Sequence, residues 1–233
     1  MSKFKLENLQ FAYFFNRFPV PQKDRSDFLV KIKNKGLVGN DIIFPIPDDA
    51  PEEIPFMFLQ QSEEYEIRFS RGRIDFFLKS TKEKMDDVLG EFKNKIKILH
   101  FVLAEYQTEI TDIGCVFRFV GDDKTPNNIF KKVFYREGID FIDFSTSATN
   151  FIQNKKQATL DINSINFSVN QIKTVKTVDV PEQEKRLVVE YDMNTRPERI
   201  QEITEFAQIE SFVTQEHGLA SEFLKKLTPE SDD

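Results

Sequence analysis

The sequence predicts an α+β fold in which a mainly antiparallel sheet carries two long helices on one face. Apolar and polar residues alternate over 65–69 and again over 74–78, on either side of a turn that contains Gly72, which predicts a β-hairpin. Between Met85 and Tyr106 apolar residues recur every three or four positions, which predicts one long helix. The strands follow one another at hairpin spacing, without regular strand–helix–strand alternation, so a parallel sheet is not expected.

The second half of the chain repeats the order of the first. An alternating segment at 186–192 precedes a second helical stripe at 200–227. We therefore expect two tandem β-α-β(3-4)-α halves, residues 1–107 and 108–233, within one continuous domain. Chance similarity of element order is the alternative, because the halves share almost no residue identity.

In the first half, a strand over 6–20 precedes a short helix over 22–35 that ends at Gly36. An apolar segment at 41–46, a proline-rich loop at 45–55 and a strand at 56–61 lead into the hairpin, and Ser80 and Thr81 are the expected cap of the long helix. The carboxylates of the proline-rich loop either bind a cation or are solvated. The loop lacks the ligand spacing of a calcium loop.

In the second half, the pattern predicts a strand at 110–120, a short helix at 127–135 and strands at 139–145, 149–153, 159–170, 171–180 and 186–192. Residues 154–157 are expected to form a turn, Ser164 to mark a phase shift, and Thr195 to cap the last helix. The expected core consists of Phe92, Ile96, Leu99, Phe206, Ile209, Phe212 and Phe223, packed on sheet residues such as Phe76, Val189 and Tyr191.

Composition narrows the class of protein. The chain has 233 residues with a formal net charge of −7, and this balance argues against general nucleic-acid binding. A single cysteine, Cys115, excludes an internal disulfide and fits a reducing compartment. We expect a cytoplasmic protein without a membrane span, since neither a secretory signal nor an apolar run of about 20 residues is visible. The 25 phenylalanines indicate core faces of sheets or a codon bias.

Two resemblances follow from these patterns. The element order resembles the fold of the TATA-box-binding protein, in which two halves share one curved sheet with long helices on its convex side. That resemblance is architectural and carries no DNA-reading motif. The chain also resembles a sporadically distributed family of uncharacterised bacterial proteins in the segments 113–119, 187–192 and 223–230. The second family implies no activity.

The residue types used most often in catalysis are scarce. The chain has two histidines, His100 and His217, and eight glycines, with no Gly-x-Ser-x-Gly, P-loop or dinucleotide fingerprint. We therefore predict no catalytic residues, no metal site and no cofactor. Asp140, Asp143 and Asp161 either approach one another or are separate solvent-facing carboxylates.

The strongest polar feature is the tip of the predicted hairpin. Arg68, Arg71 and Arg73 surround one turn, and guanidinium groups bind phosphate or carboxylate oxygens in pairs. We predict these three arginines as the binding surface. The alternative is a solubilising tip in which neighbouring glutamates, such as Glu66, neutralise the arginines.

Two functions from different classes fit the sequence. The first is a non-enzymatic binding protein with a protein partner, such as a component of a bacterial defence or toxin–antitoxin system. The second is a small-molecule-processing enzyme whose carboxylates line the concave face of the sheet. The scarcity of catalytic motifs favours the first.

Overall fold

The computed structural model describes residues 4–47, 50–79, 85–121, 151–162, 165–178, 186–195, 203 and 205–227. These residues form an α+β fold with a large antiparallel sheet and three α-helices, which confirms the predicted class. The elements in chain order are β1 (Phe4–Phe14), a 3-10 turn (Gln22–Asp24), α1 (Arg25–Asn34), β2 (Asn40–Ile43), β3 (Met57–Gln61), β4 (Tyr65–Phe69), β5 (Arg73–Lys79), α2 (Met85–Ala104), β6 (Asp112–Gly121), β7 (Phe151–Ile162), β8 (Ile165–Val178), β9 (Arg186–Thr195) and α3 (Phe206–Leu227).

The nine strands lie in the order β2-β3-β4-β5-β1-β6-β9-β8-β7. The first strand of each half lies at the centre, where β1 pairs with β6 and Phe11 is opposite Cys115. The strand that precedes each long helix flanks this central pair, β5 beside β1 and β9 beside β6. Residues that are about 100 positions apart in sequence therefore meet in the middle of the sheet.

All three helices pack on the same face of the sheet. The ring of Phe28 in α1 lies 5.7 Å from that of Phe69 in β4, and Phe92 in α2 lies 5.7 Å from Phe76 in β5. In α3, Phe223 lies 6.2 Å from Tyr191 in β9. The pairing register places these strand residues on one side of the sheet, because side chains alternate between faces.

The core follows the predicted helix stripes with one exception. Six of the seven predicted helix residues are buried: Phe92, Ile96, Leu99, Ile209, Phe212 and Phe223. The sheet residues named as their partners, Phe76, Val189 and Tyr191, are buried as well. Phe206 differs only in degree, because it is partly rather than fully buried and packs against this core. Phe206 begins α3, and its ring lies 5.9 Å from the buried His100 and 6.4 Å from the exposed Phe101.

The predicted turn at 154–157 is wrong. These residues belong to β7 and pair with β8, with Lys155 opposite Ile172. A polar segment is a strand here because β7 is at the edge of the sheet and most of its side chains face solvent. The predicted single strand over 159–170 is also wrong, since Ile162 pairs antiparallel with Ile165 and two strands replace it.

Two expected helix boundaries have different outcomes. Gly36 follows α1 with a φ of 108°, the left-handed conformation that a helix-ending glycine adopts. Thr195 ends β9, and its Oγ1 accepts a hydrogen bond of 2.9 Å from the Ile113 backbone N–H, while the helix start expected directly after it lies outside the described residues. The threonine hydroxyl joins two central strands.

Further bounds differ from the expectations. The first strand ends at Phe14 rather than near residue 20, and α2 ends at Ala104. The expected cap at Ser80 and Thr81, the helix at 127–135, the strand at 139–145 and the candidates Asp140 and Asp143 lie outside the described residues.

Candidate functional site: the open sheet face and its central groove

The face of the sheet opposite the three helices is the open face. Its side chains lie in rows across the strands, one of which runs from Arg68 through Asp75, Ala12 and Gly114 to Asn194. Half-buried aromatic rings lie among polar groups on this face, notably Phe14 and Phe77. None of the helices in the described ranges packs on the open face.

Most charges on the open face are paired within it. The Arg73 Nε atom donates to Asp75 Oδ1 at 2.7 Å. On the other half of the sheet, Arg118 Nε and Lys176 Nζ both donate to the Glu190 carboxylate, at 2.7 Å and 3.0 Å. Cations and anions therefore alternate across the open face, and no single sign of charge dominates it.

A groove of about 400 Å³ lies at the centre of the open face. Ala12 and Gly114 form the bottom of the groove, where they are paired across β1 and β6. The groove exists there because these two residues have almost no side chain. A β-carbon added at Gly114 would lie 3.4 Å from Asn194 and 3.7 Å from the Phe14 ring, so larger side chains at that position would fill the groove. Arg73 lines the groove on the β5 side.

Two carboxylates line the same groove, Asp112 at the start of β6 and Asp192 in β9. Burial raises the pKa of Asp112, against the opposing effect of its hydrogen bond from Thr195 Oγ1 at 3.1 Å. Burial also raises the pKa of Asp192, which accepts a hydrogen bond of 3.3 Å from Asn194 Nδ2. Neither carboxylate makes an ion pair with any residue in the described ranges, unlike Asp75 and Glu190.

The register fixes the spacing of these carboxylates. Asp192 is paired with Val116, which is four residues along β6 from Asp112 (116 − 112 = 4). Four strand residues span about 13 Å. That span separates Cα atoms, whereas the carboxyl groups of catalytic pairs lie roughly 5 to 9.5 Å apart, so the register does not favour paired action by Asp112 and Asp192.

The three predicted arginines do not converge on one point. Arg68 lies on the open face, where it pairs with Glu66 and its guanidinium lies 4.7 Å from the centre of the Phe77 ring. Arg73 lies in the central groove, with its guanidinium 5.1 Å from the centre of the Phe14 ring. Arg71 is directed away from both and donates to the carbonyl oxygens of Ala50, at 3.1 Å, and Pro47.

The cysteine and both histidines belong to the helix side of the sheet. Cys115 is fully buried, and burial raises the pKa of its thiol, so it is not an activated nucleophile. His100 is buried and stacks on Tyr13 at 6.2 Å. His217 is half-buried with its ring 5.8 Å from Phe117, and burial lowers its pKa.

Within the described ranges, no three His, Cys, Asp or Glu side chains lie close enough together to hold a metal ion. In those same ranges, none of the helices has the length and apolar character needed to cross a membrane. Asp161 lies on β7, at the edge of the sheet and far from the central groove in strand order.

The sequence interpretation missed the groove because its residues come from four strands whose pairing is not local. Ala12 and Gly114 are separated by about a hundred residues, and no local pattern brings them together. One signal was available, since Asp192 alternates with the apolar Tyr191 and Met193 along β9. That alternation places its carboxylate on the open face.

No protein-family model matches the chain, and a comparison with curated proteins gives no match.

Proposed function

We propose that this protein is a non-enzymatic binding protein whose open face binds a protein partner, with a lysine or arginine of that partner entering the central groove. The observation that carries the proposal is that Asp112 and Asp192 are both desolvated and make no ion pair among the described residues, although Arg73 and Lys155 act on Asp192 from a longer distance. A buried carboxylate without a cation is costly, and an incoming basic side chain offsets that cost.

The other charges of the open face support a protein rather than a nucleic acid as the partner. Its arginines and lysines are largely neutralised by Asp75, Glu66 and Glu190 on the same face. Phosphate binding requires a basic surface, whereas protein interfaces combine aromatic rings with charges of both signs. The half-buried rings of Phe14 and Phe77 supply the aromatic component.

The second candidate is an enzyme that uses the groove carboxylates as acid and base. Their raised pKa values are the observation in its favour, because general acids are tuned in this way. The separation of about 13 Å along the strands is the argument against paired action. Binding therefore accounts for the groove better than catalysis does.

The test begins with affinity capture and identification of partners by mass spectrometry, followed by measured affinities for each captured protein. We expect Asp192→Asn to weaken binding of the relevant partner at least tenfold and Gly114→Leu to weaken it further by filling the groove. Asp41→Asn is the matched control, because Asp41 pairs with Lys33 away from the open face. A lysine-to-glutamine scan of the partner then identifies the entering side chain.

Two results would contradict the proposal. Unchanged affinity of every captured protein for the Asp192→Asn and Gly114→Leu variants would remove the groove as the binding site. Turnover of a small molecule that is lost in Asp192→Asn would favour the enzyme instead. Membership in a bacterial defence or toxin–antitoxin system stays a prediction, and the identities of the captured partners test it.

We also propose that residues 1–107 and 108–233 are tandem repeats of one ancestral unit. The strand order supports this: outward from the centre, β1, β5, β4 and β3 correspond to β6, β9, β8 and β7, and α2 corresponds to α3. Superposition of the two halves in an experimental structure by a rotation near 180° is the test. Different strand paths in the two halves would reject the duplication.

A further inference from the structure

A second concave site, separate from the open-face groove, lies where the chain leaves β1. This cleft of about 780 Å³ is lined by Arg17, by Arg25 at the start of α1 and by Arg71 at the tip of the β4–β5 hairpin. Glu52 is the one carboxylate among its described lining residues. We name it the arginine cleft after these three side chains.

The arginine cleft is built on rigid parts of the fold. The Arg25 guanidinium lies flat on the Phe56 ring, with its carbon atom 3.8 Å from the ring centre. Phe56 is fully buried, and its ring packs edge-on against the Phe18 ring with 5.2 Å between ring centres. The ring beneath Arg25 is therefore fixed by core packing. Arg71 is positioned by the carbonyl oxygens of Ala50 and Pro47. Two cationic groups are therefore held in place before any ligand arrives.

The closeness of Arg25 and Arg71 has an electrostatic cost. Burial lowers the pKa of Arg25, and the nearby positive charge of Arg71 lowers it further. The Arg25 Nε atom is buried and has no hydrogen-bond acceptor among the described residues. A buried donor without an acceptor and a guanidinium close to another cation are both costly for Arg25. An anion between Arg25 and Arg71 would relieve both costs.

We propose that the arginine cleft binds the phosphate group of a small molecule, with Arg17, Arg25 and Arg71 donating to its oxygens. Three arginines and one carboxylate are the charged residues of the described lining, which suits an anionic group better than a cationic one. Guanidinium forks suit phosphate oxygens because each presents parallel N–H donors.

The volume of the arginine cleft indicates how large the part of the ligand beyond its phosphate group is. A cleft of about 780 Å³ is within the range of small-molecule sites, roughly 300 to 1,000 Å³, and exceeds the size of a phosphate ion. Pro19, Val20 and Pro21 provide an apolar wall beside the arginines. The ligand class is therefore a phosphorylated molecule with an apolar or planar body, of about the size of a nucleotide.

Pyrophosphate is the probe for the charged part of the site. We expect saturable binding of pyrophosphate to the full-length chain by isothermal titration calorimetry, and at least tenfold weaker binding to Arg25→Gln. Arg17→Gln is the second variant, since Arg17 is exposed and its replacement does not disturb the Phe56 packing. Arg68→Gln is the matched control, because Arg68 lies on the open face and pairs with Glu66.

Adenosine 5′-monophosphate and adenosine then test the body of the ligand. The proposal requires the monophosphate to bind more tightly than inorganic phosphate, and adenosine to bind more weakly than the monophosphate. Absence of saturable pyrophosphate binding, or equal binding by the wild type and by folded Arg25→Gln and Arg17→Gln variants, would overturn the site. A phosphoserine peptide that bound more tightly than pyrophosphate would overturn the assignment to a small molecule. Because these residues do not line the open-face groove, each result is separable from the outcome for the protein partner.

Discussion

The Cys115 thiol and the Glu216 carboxyl lie side by side in the buried core, where β6 meets α3. Glu216 is fully buried, and burial raises its pKa well above the usual 4.5. The Met193 backbone is also adjacent, but neither carboxyl oxygen forms a hydrogen bond of good geometry in the described part of the chain. Burial thus favours the protonated form of Glu216 in the folded protein, where the packing of α3 on the sheet holds the side chain.

The pH dependence of stability follows from the raised pKa of Glu216. Above pH 4.5 the unfolded chain releases this proton while the folded chain keeps it, so the free energy of unfolding falls as pH rises toward the folded pKa. We expect Glu216→Gln to be more stable than the wild type at pH 8, by roughly 1–3 kcal/mol. Urea titrations at pH 5 and pH 8 measure the difference.

The control for Glu216→Gln is Glu210→Gln, on the exposed side of the same helix, where Glu210 pairs with Lys93. Its stability should follow the wild type at both pH values. If Glu216→Gln proved less stable than the wild type at pH 8, Glu216 would be ionised and favourably paired in the folded protein.

The packing of α2 on the sheet predicts a large effect at one side chain. Phe92 is fully buried, with its ring 5.7 Å from Phe76 in β5. Phe92→Ala should lower the free energy of unfolding by about 3–5 kcal/mol, because it opens a cavity between two rigid layers. Phe101→Ala, on the same helix at 48% exposure, should cost far less. A loss below about 1 kcal/mol for Phe92→Ala in urea titration would contradict the packing.

Two glycines provide opposite expectations. A β-carbon at Gly39 would lie 2.6 Å from the Gln60 carbonyl oxygen, so Gly39→Ala must displace the backbone where β2 meets β3. At Gly90, within α2, a β-carbon meets no described atom within 4 Å. Gly90→Ala should therefore raise the stability by up to about 1 kcal/mol, since alanine favours helix. Thermal melts of both variants check the signs, and two changes of the same sign would contradict this local geometry.

The fold class was predictable because its signals are local. Residues 65–78 alternate and residues between Met85 and Ala104 follow a helical period, so the hairpin and α2 could be recognised without knowing their neighbours. The strand β7 was misread at 154–157 because an edge strand with exposed faces carries no apolar period. An apolar period in the sequence reflects the burial of one face of a strand or helix, so it disappears where neither face is buried.

The sites were not predictable for a different reason. Arg68, Arg71 and Arg73 are neighbours in sequence, but the turn takes Arg71 to the carbonyl oxygens of a loop, while Arg68 and Arg73 pair with different carboxylates on the open face. Conversely, Arg25 and Arg71 are distant in sequence and face one cleft. Residues at a site are gathered by nonlocal strand pairing, which a single sequence does not encode in any short pattern.

The proposed binding of a basic side chain in the central groove makes the affinity for the partner depend on pH. Burial raises the pKa of Asp112 and of Asp192 above the usual 3.8 in the free protein, and a cation bound beside either carboxylate lowers the pKa of that carboxylate again. Binding therefore releases protons, and the affinity should rise as pH rises through the raised pKa values and then level off. Calorimetry with the captured partner across pH 4.5 to 8 measures this, provided that circular dichroism shows both proteins folded throughout. In Asp112→Asn/Asp192→Asn the affinity should be lower and the slope should disappear. An affinity that falls with rising pH, or a slope that persists in the double variant, would show that neither carboxylate receives the partner's cation.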